Sequence, residues 1–90
     1  MVEKMQGSTY MKIGEAVRLR ILELCEKRGI TVNALANLCG VTQSTLSNIV
    51  GGRNQSTTVA TVKKICDGLE ITVLDFFDSP LFSRLEQEVE

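Results

Sequence analysis

Ninety residues make a single domain, large enough to bury a modest core without disulfide or metal staples, and a 43% apolar share is that of a globular rather than a disordered chain. No apolar run approaches the roughly 20 residues of a membrane span and no signal-like segment opens the chain, so the expected location is the cytoplasm. The net charge of −1 conceals an asymmetry: residues 12–64 carry eight Lys or Arg against three Glu, whereas residues 65–90 carry one Arg against seven Asp or Glu, a basic body suited to a polyanion followed by an acidic tail.

Residues 1–11 read as a flexible arm. From Ile13 the apolar positions Ile13, Val17, Ile21, Leu24 and Cys25 recur at helical spacing, widened by Leu22, while Arg18, Arg20, Glu23, Glu26 and Lys27 fill the polar side. This predicts a helix over about 13–28, stopped by Gly29 in a left-handed cap. Thr31 caps a second helix, about 32–39, with Leu35, Ala36 and Cys39 inward and Gly40 at its end. Thr42 caps a third, about 43–50, ended by Gly51-Gly52. After the polar loop Arg53–Thr57, Thr58 caps a fourth over about 59–67, with Val59, Val62, Ile65, Cys66 and Leu69 on one side and Gly68 closing it. Thr72 and Asp75 have the capping-box spacing for a short fifth helix through Phe77. Ser79-Pro80 then offers a cap and a first-turn proline, and Leu81, Phe82, Leu85 and Val89 could form the stripe of a short sixth helix whose acidic end opposes the helix dipole. The fold expected is all-α: a compact five-helix bundle over residues 12–78, preceded by the arm 1–11 and followed by the acidic segment 79–90, with or without the sixth helix.

Catalysis and metal binding are not expected. The chain has no His, which removes Ser–His and Cys–His pairs, and its three cysteines show no C-x-x-C spacing. The run GGRNQST lacks the spacing of a phosphate-binding loop. No cofactor is called for. The cysteines read as buried thiols; a redox sensor would instead need an exposed thiol of low pKa.

The third helix is unusual in composition. Gln, Ser, Thr and Asn crowd residues 43–48, although Ser, Thr and Asn form helices poorly. Leu46, Ile49 and Val50 share one side, and Gln43, Ser44, Ser47 and Asn48 lie broadly opposite at about 100° per residue. Two short helices joined by Gly40-Val41-Thr42, with small Ala36 for a close crossing, make a helix-turn-helix over residues 32–51. Glu or Lys would solubilise such a face with better propensity. Amides and hydroxyls instead suit base edges: Gln43 and Asn48 have the bidentate chemistry for adenine, and Ser44 and Ser47 can donate or accept.

The stretch ITVNALANLCGVTQSTLSNIVGGR, residues 30–53, resembles the Cro/C1-type (Xre-family) helix-turn-helix repressors of phages and bacteria. The resemblance spans about Lys12 to Phe77 and includes LEITVLDFF as a closing helix. It implies a five-helix bundle that binds operator DNA as a homodimer and regulates transcription, with Gln43 and Ser44 opening the recognition helix. Phosphate contacts are expected from Thr31 and Thr42 at the helix N-termini, from Thr45 at the edge of the reading face, and from Arg53 and Asn54 in the following loop. Double-stranded DNA is thus the expected partner, with neither a membrane nor a small-molecule ligand. Two departures from the family stand out. Val32 occupies a position often held by a bracing Gln, with Asn33 as its neighbour. Cys25 and Val50 stand where many members carry an Arg–Glu ion pair, so an apolar contact is expected there. An alternative class is an antitoxin-like or other protein-interaction module on the same frame, motivated by the acidic tail and by Leu81 and Phe82 if exposed.

Overall fold

Four of the helices begin the same way. The hydroxyls of Thr31, Thr42, Thr58 and Thr72 accept from the backbone N–H three residues on, at 3.0–3.1 Å. Each such cap satisfies one donor that an α-helix leaves without a partner, and is worth about 1 kcal/mol. At Thr72 the capping box is complete, because Asp75 Oδ2 accepts from the Thr72 N–H at 3.1 Å. In this computed structural model, which describes residues 11–52 and 57–87, the helices are α1 (Ile13–Arg28), α2 (Val32–Cys39), α3 (Gln43–Val50), α4 (Val59–Leu69) and α5 (Val73–Phe77). A single 3₁₀ turn, Pro80–Phe82, follows. The described residues form one all-α bundle, as the caps and stripes predict, and among them no helix is long and apolar enough to cross a membrane.

Every helix contributes to one core. Ile21 of α1, Leu35 of α2, Leu46 of α3, Ile65, Cys66 and Leu69 of α4 and Phe76 of α5 are all fully buried. Each large apolar side chain among them contributes about 1.5–3 kcal/mol by leaving water. The short α5 is held largely through Phe76, whose ring lies within a cluster with Phe77 and Phe82 at centroid distances of 4.9 and 6.3 Å.

Two expectations change. Gly68 does not end α4; it lies inside the helix, and Glu70 takes the left-handed cap at φ 61°. Gly68 answers a different demand, since a Cβ there would stand 2.8 Å from both Cα and Cβ of Cys39. It is where α4 crosses α2. The sixth helix is replaced by the 3₁₀ turn: Ser79 Oγ accepts from the Leu81 N–H at 3.2 Å, and the Ser83 hydroxyl donates to the Pro80 carbonyl at 2.8 Å, closing the turn. Beyond it Leu85 pairs with Met11 as an isolated parallel bridge, with the Glu86 N–H donating to the Met11 carbonyl at 2.8 Å. The backbone groups of Arg84 and Glu86 that a helix would use are taken by Met11, which precedes α1. Val89 lies outside the described residues.

Candidate nucleic-acid interface

The helix-turn-helix is built on α2 and α3. Gly40 turns the chain at φ 70°, a conformation costing a residue with a Cβ roughly 1–2 kcal/mol, and the Val41 N–H reaches back to the Ala36 carbonyl at 3.3 Å. Leu35, Ala36 and Cys39 from α2 and Leu46 and Ile49 from α3 are buried, while Val32, Val41 and Val50 pack half-buried on the same core. The opposite side of α3 is open: Gln43, Ser44, Thr45, Ser47 and Asn48 are all exposed. Among the described residues, the side chains of Gln43, Ser44, Ser47 and Asn48 make no intramolecular hydrogen bond. Their donors and acceptors are turned outward, along one face of a helix about 12 Å long.

The flanking candidates divide. Thr31 and Thr42 are exposed, but both hydroxyls already accept from the backbone as caps. The Thr42 hydroxyl also donates to Thr45 Oγ1 at 2.9 Å, so Thr42 and Thr45 form a local pair that fixes the first turn of α3. Arg53 and Asn54 lie outside the described residues. Val32 is half-buried against the core and Asn33 is exposed. Cys25 is buried and Val50 packs on the core, so no ion pair joins those two positions.

Arginine roles that the residue order hides appear on α1. Arg20, expected on the polar side, is only 6% exposed. Its Nε and Nη2 donate to the carbonyls of Phe76 and Asp75 at 2.6 and 2.8 Å, and Nη1 to Glu23 at 2.9 Å. Arg28 donates to the Leu69 carbonyl at the end of α4. Arg18 donates through Nη1 to the carbonyl of Val50, the last residue of α3, at 3.2 Å. Its Nε and Nη2 fork onto Glu15 at 3.1 and 2.8 Å. One helix thus supplies a cation to the carbonyl end of each of three others, where the helix dipole favours positive charge. One signal was available: Arg20 falls three or four residues from Val17, Ala16 and Leu24, on the apolar stripe. The same arginines inflate the basic body, since three of its eight cations serve backbone carbonyls.

Charge and burial also mark the remaining ionisable groups. The hydrogen bonds from Arg18 hold the Glu15 carboxyl below the usual carboxylate range. Burial pushes the thiols of Cys25, Cys39 and Cys66 up, and Cys39 Sγ donates to the Leu35 carbonyl at 3.0 Å. Such thiols make poor thiolates, which argues against a redox-sensing role.

Comparison with known proteins agrees with this geometry. The profile of the Cro/C1-type HTH DNA-binding domain matches residues 20–80, which contain α2, α3, α4 and α5 whole. The solved structure described as "Crystal structure of the prophage Lp1 protein 11" superposes with a TM-score of 0.72 at 36% sequence identity, over 83% of this chain and 99% of that one. A search of curated proteins gives no match. With a matching profile over two thirds of its length and a helix-turn-helix at its centre, the chain belongs to the Cro/C1-type helix-turn-helix DNA-binding family.

Proposed function

We propose that the protein is a sequence-specific, repressor-like transcriptional regulator that reads the major groove of double-stranded DNA with α3. The observation that carries this is the two-sided character of α3. Leu46 and Ile49 anchor it, while Gln43, Ser44, Ser47 and Asn48 are exposed and, among the described residues, their side chains have no intramolecular hydrogen bond. A helix entered by its N-terminal part brings those four to base edges. Gln43 and Asn48 then supply bidentate contacts to adenine, and Ser44 and Ser47 adaptable ones. Phosphate contacts fall to the N-terminal turns at Thr31, Thr42 and Thr45 and to Arg53 and Asn54, the last two on sequence grounds alone. The protein-interaction alternative loses part of its motivation, because Leu81 and Phe82 are half-buried and the Phe82 ring meets Phe77 edge to face at a centroid distance of 4.8 Å.

One recognition helix spans few base pairs, so we assign the protein a homodimer, whose second α3 would lie one turn of DNA away, about 34 Å. Val73, Leu74 and Phe77 are exposed on one face of α5, and Leu74 is 83% exposed. Val59, at the start of α4, is 79% exposed but has no such companions on its own helix. The α5 face is therefore the better interface.

The experiment is selection of bound duplexes from a randomised pool, followed by titration of wild type and Gln43→Ala against selected and random DNA at several salt concentrations. Wild-type affinity falls with salt on both, as phosphate contacts require. Gln43→Ala loses about 1–3 kcal/mol on the selected sequence, confined to one base pair per half-site, and little on random DNA. Failure to enrich any sequence, or binding indifferent to salt, rejects the proposal.

A further inference from the structure

We propose that Arg18, held by Glu15, is a positioning residue for α3: it fixes the far end of the helix and with it the angle at which Gln43, Ser44, Ser47 and Asn48 meet DNA. The inference rests on α3 being the reading helix. It starts from how little else holds that helix. Across its two turns α3 buries only Leu46 and Ile49, which are three residues apart and occupy one turn. Beyond these two anchors the C-terminal end has only the half-buried Val50 side chain on the core, a non-directional contact that does not by itself set the tilt of the helix. The N-terminal end is fixed by the Thr42 cap and the turn from α2. At the C-terminal end the Val50 carbonyl takes a hydrogen bond from Arg18. At Gly52, just beyond, an added Cβ would reach the same side chain, standing 4.0 Å from Arg18 Cδ.

Glu15 makes this a fixed strut rather than a mobile side chain. The bidentate fork, Nε to Oε1 and Nη2 to Oε2, sets the plane of the guanidinium, and the remaining Nη1 is aimed at Val50. The side chain is three-quarters buried, and Glu15 balances its charge. Three of the five guanidinium N–H donors are thus committed within the protein, which favours a positioning role over a phosphate contact. Base readout needs hydrogen bonds of 2.7–3.2 Å at several positions together, whereas contacts with random DNA tolerate small tilts. Loosening the strut should therefore reduce discrimination more than grip.

The test compares Arg18→Met with Arg28→Met, which removes the corresponding bond to the end of α4 and leaves α3 alone. Arg18→Lys, which keeps a donor but not the fork, serves should Arg18→Met fail to fold. Full-length protein is titrated against the duplex selected by wild type and against random duplex over a range of salt, at a temperature where circular dichroism shows each variant folded. The expected result is a fall of about tenfold in the ratio of selected to random affinity for the Arg18 variants, with the salt slope unchanged, and no fall for Arg28→Met. Equal falls in both positions would reduce Arg18 to a general stabiliser and overturn the inference. A uniform loss on both duplexes with the slope lowered by about one would make Arg18 a phosphate contact and also overturn it. Gln43→Ala separates the two levels. If it lowers the ratio and the Arg18 variants do not, the strut fails and the reading helix stands; if Gln43→Ala leaves the ratio intact, the reading helix fails and the strut with it.

Discussion

Glu15 stays ionised in the fold below the pH at which a free glutamate would take up a proton, because Arg18 donates to both its oxygens. A carboxyl lowered in the folded state stabilises the protein above its unfolded value, about 4.3, and that contribution disappears as pH falls through the folded value. The stability gap between wild type and Glu15→Gln is thus expected to be largest at neutral pH and to shrink as the solution is acidified below about pH 4, measured by urea unfolding at each pH. The partial exposure of the pair keeps the gap modest, and salt should narrow it further. Arg20 differs in kind. It is buried, and without it the Phe76 carbonyl would lose its arginine donor, whereas the Asp75 carbonyl keeps the Asp78 N–H at 3.2 Å.

At the scale of elements, Gly68 separates two explanations that the sequence leaves alike. A glycine near a helix end reads as a cap, and here it permits α4 to cross Cys39 of α2 instead. Gly68→Ala would gain about 1 kcal/mol in helix propensity, but the added methyl meets backbone atoms that cannot step aside cheaply. The expected net result is destabilisation of about 1–3 kcal/mol by chemical denaturation. Because α2 belongs to the helix-turn-helix, weakened DNA binding should accompany it. The threonine caps and the α2–α3 turn were legible in the sequence because a cap is decided within four residues. So was the polar face of α3, since helical periodicity alone separates Leu46 and Ile49 from Gln43 and Asn48. The arginine partners were not legible: the carbonyls bound by Arg18, Arg28 and Arg20 lie 32, 41 and 56 residues away. Nor was the fate of the last segment, where an apolar stripe fitting a sixth helix gives way to backbone pairing with Met11.

For the molecule as a whole, the α5 face sets the expected assembly. Leu74→Glu places a charge at the centre of the proposed interface while disturbing no buried residue. It should convert a dimer into a folded monomer by light scattering and steepen the concentration dependence of DNA binding; a wild-type protein that is monomeric with and without DNA would contradict the assembly. The surface charge available to DNA is smaller than the basic body suggests. Lys63 pairs with Asp67 and Lys12 with Glu86, in addition to the three arginines committed to carbonyls. The salt slope should accordingly reflect few phosphates per protomer. The three links from α1 also govern how the molecule breathes. A helix ordinarily unravels from its ends, yet the last turn of each of α3, α4 and α5 carries a carbonyl clasped by α1. Their final turns cannot loosen singly, and the amides there should exchange with deuterium only as slowly as the whole bundle opens.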